Sequence, residues 1–158
     1  MVKLLNLMKN IKKMLIYFID NKEEIKRNKI NADDKVRKIK IIIDSEIKSF
    51  NKLFSYCKCI ESINFNKFFR KNITNMNGMF SRCSSLNELN LNNFNTNNVT
   101  DMSCMFYECS SLKELYLNNF NTNNVTDMNC MFYGCSDVLK KKIETQYKNI
   151  REEAFENN

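Results

Sequence analysis

LNNFNTNNVTDM runs from Leu91 to Met102 and again, letter for letter, from Leu117 to Met128, a displacement of 26 residues. Twelve identical residues at a fixed displacement mark a tandem repeat, and the same step reaches beyond them. It joins Cys57, Cys83, Cys109 and Cys135; Phe54, Phe80, Phe106 and Phe132; and Leu53, Met79, Met105 and Met131. Ile73, Val99 and Val125 share the register. Residues 36–136 therefore read as about four copies of one unit, the outer ones degraded. Val36, Ile39 and Ile41 form a fainter start, displaced by 24 rather than 26 residues.

Within a unit the apolar period changes. Leu86, Leu89, Leu91 and Phe94, matched by Leu112, Leu115, Leu117 and Phe120, alternate at their centre as a short strand with one buried face does. Ile60, Ile63, Phe65 and Phe68 repeat the pattern. The second half of the unit runs Val99, Met102, Met105, Phe106, Cys109, spacings of three and four that predict a helix of about three turns. Thr100 or Asp101, and Thr126 or Asp127, stand where an N-cap would accept the first free amide hydrogens. One unit then reads as strand, Asn-rich loop, helix. The Asn abundance, beside two glycines and no proline, reads in part as codon bias.

A lone strand–helix unit cannot bury its own apolar face, so neighbouring units must stack. The expected fold is α/β: a leucine-rich-repeat-type solenoid of about four strand–helix turns with a parallel sheet and a helical cap at both ends. Residues 1–35 form an amphipathic, basic N-terminal capping segment in this reading, because Leu4, Met8, Ile11, Leu15, Phe18 and Ile19 share one helical face. Residues 137–158 form a C-terminal capping helix on the spacing of Val138, Leu139, Ile143, Tyr147, Ile150 and Ala154.

The Leu-x-x-Leu-x-Leu segment followed by FNTNNVTDM, Met-Phe and Cys-Ser-Ser resembles the BspA-like leucine-rich repeat, the 26-residue surface-protein repeat. The resemblance is specific over residues 73–136 and weaker over 36–72. It implies a repeat scaffold without catalytic activity, and a cell-surface protein engaged in adhesion or recognition.

The formal net charge of +7 invites a nucleic-acid reading, which its distribution weakens. Residues 57–136 carry six basic and six acidic side chains and residues 137–158 five of each, so the whole excess lies in residues 1–56. The repeat region is neutral and offers phosphate nothing specific. Membrane-surface or nucleic-acid association through the basic N-terminal segment, with membrane contact through residues 1–20, is a further alternative. The longest apolar run near the start, Met14 to Ile19, is too short to span a membrane. Lys9, Lys12 and Lys13 interrupt any secretory signal, so location reads as cytoplasmic from the residues and as cell surface from the resemblance.

Catalysis finds little to work with. The chain has no histidine, and Gly78 and Gly134 cannot build a phosphate loop. Asp101 and Asp127 recur with the repeat, whereas a catalytic site is normally built once. The Cys57/83/109/135 column reads as buried free thiols; Cys104 and Cys130 read as a second, more exposed column. Cys57 and Cys59 lack a second pair at ligand spacing, so neither metal nor cofactor is expected.

A binding surface is the better candidate. Strand residues between the buried leucines point outward and form columns: Ser62, Glu88, Glu114; Asn64, Asn90, Tyr116; and Asn66, Asn92, Asn118. This acidic and amide-bearing face suits a protein partner, with a glycan or a host surface as the alternative. The Asn95–Asn98 and Asn121–Asn124 loop edge is the other candidate surface.

Overall fold

A computed structural model describes residues 47–58, 60–63, 65 and 72–157, together with the backbone of three strands nearer the N-terminus. Those strands are β1 (Met14–Asp20), β2 (Glu23–Lys26) and β3 (Lys38–Ile43), in an antiparallel sheet of order β2-β1-β3. The register places Phe18 opposite Ile39 and Ile16 opposite Ile41. This overturns the N-terminal helical cap over Met14–Asp20, and it removes Ile39 and Ile41 from the parallel repeat. The residues explain why: Ile16, Tyr17, Phe18 and Ile19 are β-branched or aromatic, and Ile39, Ile41, Ile42 and Ile43 supply a matching partner. Leu4, Met8, Ile11 and Val36 lie outside the described residues.

A second sheet is parallel, of order β4-β5-β6, with β4 at Ser62–Ile63, β5 at Glu88–Asn90 and β6 at Glu114–Tyr116. Ile63, Leu89 and Leu115 pair across it, and Leu89 and Leu115 are buried. Here the alternation expected of a half-buried strand holds.

The other half of each unit is not a helix, and the strand–helix solenoid expected above does not stand. Among the described residues the α-helix is α1 (Asp137–Gln146), which follows the repeats. In a helix the amide of Phe106 would bond within its own segment, four residues back. Instead Phe106 N–H donates to the Met131 carbonyl (2.9 Å), Phe80 to Met105 (2.9 Å) and Phe54 to Met79 (2.8 Å). Parallel bridges Ser49–Asn75, Asn75–Asp101 and Asp101–Asp127 run through the same layer. The intervening amides close tight turns, such as Met105 N–H to Met102 O and Cys109 N–H to Phe106 O. Each turn needs a left-handed residue, and these recur in two columns: Lys52, Gly78, Cys104, Cys130, and Tyr56, Arg82, Glu108, Gly134. Both glycines of the chain stand in those columns.

Inward-facing side chains are Met102, Met105, Phe106 and Cys109, all fully buried. Their spacing is that of a helix face, which is why the pattern reads as one. Phe54, Phe80, Phe106 and Phe132 stack with centroids 5.3–5.7 Å apart and planes within 17°. Beside them the thiols of Cys83, Cys109 and Cys135 donate to the carbonyls of Phe54, Phe80 and Phe106 at 3.0, 3.0 and 3.2 Å. Cysteine suits this column because it is small and brings one weak donor to an otherwise apolar wall. Burial pushes the Cys135 thiol up to about 12 and the Cys109 thiol higher still, so both stay protonated.

Asp101 and Asp127 do not cap helices. Their carboxylates accept from the amides of Ser103 and Asn129, two residues on, at 3.0 and 2.9 Å. Asn75, Asn95 and Asn121 do the same for Asn77, Asn97 and Asn123. These are Asx turns, so the recurring asparagines at these positions have a structural role. Thr74, Thr100 and Thr126 each donate a hydroxyl to the carbonyl one copy back, those of Lys48, Thr74 and Thr100.

The end of the stack would leave ladder groups unpaired. Ser136 Oγ caps α1 by accepting from Leu139 N–H, and Leu139 and Ile143 are buried against the repeats. The chain then leaves the helix earlier than the sequence spacing suggests. Residues 147–155 take the place of a further copy: Ala154 O accepts from Phe132 N–H (2.7 Å), Glu153 O from Cys130 N–H (3.1 Å), and Arg151 Nη1 donates to Val125 O (2.8 Å). Phe155 continues the phenylalanine stack onto Phe132 at 5.4 Å.

Candidate binding surface

Because β4, β5 and β6 are parallel and in register, outward residues of successive copies stand side by side. Ser62 lies beside Glu88 and Glu88 beside Glu114, while Asn90 lies beside Tyr116. Ser62, Glu88, Asn90 and Tyr116 are exposed, Glu114 is half-buried, and the intervening leucines point into the core. Asn64 and Asn66 lie outside the described residues.

Two carboxylates at adjacent strand positions repel each other. At Glu114 the protein answers with a cation from α1: Lys142 Nζ sits 2.5 Å from its Oε2. The hydrogen bond to Glu114 holds the Lys142 ammonium above its ordinary range. The Glu88 carboxylate, one strand over, makes no hydrogen bond or ion pair with a described residue. Tyr147 reaches back from beyond α1; its hydroxyl accepts from Leu117 N–H (3.2 Å) and donates to Asn118 Oδ1 (3.3 Å). Between β6 and α1 lies an open groove of about 470 Å³, with Tyr116 on one side, Lys142 and Gln146 on the other, and Leu115 in its floor.

The structure thus separates the candidate residues. Asn90, Asn92 and Asn118 do local work: Asn90 Oδ1 accepts from Asn92 N–H, and Asn92 Oδ1 from Asn118 N–H, both at 3.0 Å. Glu114 is engaged by Lys142. Ser62, Glu88 and Tyr116 are left facing solvent.

The Asn95–Asn98 and Asn121–Asn124 edge is likewise bound up in the fold. Asn121 Nδ2 donates to Asn97 Oδ1 (3.0 Å) and Asn124 Nδ2 to Asn97 O (2.6 Å).

The sequence reading missed a cluster around Arg82. Its guanidinium meets Glu108 (Nε to Oε2, 3.0 Å), donates to the Tyr56 hydroxyl (2.6 Å), and lies 5.0 and 5.6 Å from the ring centres of Tyr56 and Tyr107. Tyr107 stacks on Tyr133 at 5.4 Å. Reading the column Tyr56, Arg82, Glu108 across copies would have found it. Its charges are satisfied internally, so it ties copies together; as a solvent-exposed pair it contributes modestly.

Among the described residues no group of three or more His, Cys, Asp or Glu side chains converges to hold a metal ion, and no helix is long and apolar enough to cross a membrane. The Cys57/83/109/135 column is buried, but Cys130 is buried too and Cys104 half-buried, against the exposure expected of that second column.

A family described as Mycoplasma protein of unknown function, DUF285, matches the chain over residues 23–147. No curated protein and no solved structure matches it. The chain belongs to the DUF285 family.

Proposed function

We propose, from that membership and from the face just described, that the protein is a non-catalytic repeat scaffold. It binds a protein partner as an extended segment laid across β4–β6, with a basic side chain of the partner paired to Glu88. The observation that carries this reading is the contrast between neighbours: Glu114 holds the Lys142 ammonium, while the Glu88 carboxylate beside it has no partner among the described residues. Lys142 is an internal version of the contact an external lysine or arginine would make one copy earlier. Tyr116 adds a flat, amphipathic anchor of the kind enriched in binding surfaces. Asp101 and Asp127, the recurring acids, are committed to Asx turns, which supports a role without catalysis. The finer resemblance of the LxxLxL and FNTNNVTDM elements to BspA-like repeats supports recognition as the task.

Selection from a library of displayed random peptides tests the reading. Enriched sequences should share a lysine or arginine, and Glu88→Gln should weaken the selected peptides about tenfold, near 1.4 kcal/mol. Tyr116→Ala should weaken them comparably with an unchanged thermal midpoint. Asn90 is a poorer probe, because its amide oxygen also holds the Asn92 turn. Peptides that lack a basic residue and bind both variants as well as the parent would sink the assignment to this face.

A further inference from the structure

We propose that Cys104 and Cys130 are a modification site: under peroxide they join in a reversible intramolecular disulfide that fastens the last two copies of the repeat to each other. The two residues occupy successive places in one left-handed column, with φ of 53° and 57°. Rungs on either side of them are in register, Asp101 bridging to Asp127 and Cys104 N–H donating to Asn129 O at 2.9 Å. In-register neighbours in such a ladder lie about 5 Å apart at Cα, inside the span of about 4.4–6.8 Å that a disulfide bridges.

The same column, two copies earlier, shows how the side chains meet. A Cβ placed on Gly78 would lie 3.2 Å from Lys52 Cγ. Cys104 and Cys130 stand at the corresponding positions, and there the Cys104 thiol interacts with the Cys130 side chain.

Accessibility separates Cys104 from the other described thiols. Cys57, Cys83, Cys109, Cys130 and Cys135 are buried, and three of them donate to carbonyls, whereas Cys104 is half-buried, with Cys130 one copy along the same column. Burial, the facing Cys130 sulfur and the carboxylates of Asp127 and Asp101 keep the Cys104 thiol protonated beyond its usual range, so oxidation is slow and needs sustained exposure.

The chemistry balances with hydrogen peroxide as oxidant. The Cys104 thiolate attacks one peroxide oxygen, the O–O bond breaks, and a sulfenic acid forms as hydroxide leaves and is protonated to water. The Cys130 thiolate then attacks that sulfur; the S–S bond forms, the S–O bond breaks, and a second water leaves. Two thiol sulfurs are oxidised, two peroxide oxygens are reduced, and a dithiol reverses the bond by exchange. Cys130 N–H is also bonded to the tail carbonyl of Glu153, so the link lies beside the segment that closes the stack.

The test is peptide mapping of the full chain after hydrogen peroxide and alkylation of remaining thiols, without reduction. The expected result is an intact mass lower by two hydrogens, a linked pair of peptides carrying Cys104 and Cys130, a thermal midpoint raised by several degrees, and reversal of all three by dithiothreitol. In Cys130→Ser, Cys104 should instead be recovered as higher oxides. Recovery of parental Cys104 as sulfinic acid, as an intermolecular dimer, or unlinked while Cys83 and Cys109 pair would overturn the proposal.

Discussion

Phe106→Ala lowers the stability of the protein by about 3–5 kcal/mol, seen as a fall in the urea midpoint with little change in slope. The ring is fully buried between Phe80 at 5.7 Å and Phe132 at 5.3 Å, with neighbours on both sides in the same stack. Its loss removes transfer energy and also leaves a gap that backbone hydrogen bonds between copies prevent from collapsing, since Phe106 N–H is tied to Met131 O and its carbonyl takes the Cys135 thiol. Among the described residues Phe155, at the end of the stack and only partly buried, has an aromatic neighbour on one face alone. Phe155→Ala should therefore cost roughly half as much or less. Equal costs at the two positions would show that the stack does not act as a continuous core.

Thr96→Val costs about 2–3 kcal/mol although the two side chains have nearly the same shape. Thr96 is completely buried, and its hydroxyl both accepts from Asn121 N–H (2.8 Å) and donates to Asn121 O (2.9 Å). Valine fills the space and orphans both backbone groups, each of which then bears its desolvation penalty. The control is Thr100→Val in the same FNTNNVTDM element. Thr100 is exposed, and the Thr74 carbonyl that receives its hydroxyl keeps the Thr100 N–H at 2.8 Å. That change should cost less than about 1 kcal/mol. Indistinguishable midpoints for the two variants would mean that the Thr96 hydroxyl does not hold the copies together.

The strand face was legible in part. The columns Ser62/Glu88/Glu114 and Asn90/Tyr116 follow from alternation and the 26-residue step, and the strand register agrees with them. That Glu88 rather than Glu114 is the open acid was not legible, because Lys142 is 28 residues from Glu114 and belongs to no repeat. Nor was the structural employment of Asn90, Asn92 and Asn118, since an exposed amide and a turn-holding amide look alike in a sequence.

By itself the sequence determined the repeat step and, for the leucine, phenylalanine and Cys83/Cys109 columns, the stacking partner and the inward facing. Leu89 over Leu115, Phe80 over Phe106 and Cys83 over Cys109 all follow from identical letters at one displacement, because equivalent side chains in stacked copies must share an environment. Tertiary structure alone decided what backbone carries them. Met102, Met105, Phe106 and Cys109 have the inward spacing of a helix, and that spacing serves equally for a chain of tight turns. The two differ in where the amides bond, four residues back or 25 residues ahead as in Phe106 to Met131, and only a neighbouring copy already in place offers the second partner. The same holds for Met14–Asp20, whose apolar residues fit a helix face until Lys38–Ile43 supplies an antiparallel edge for them to pair with.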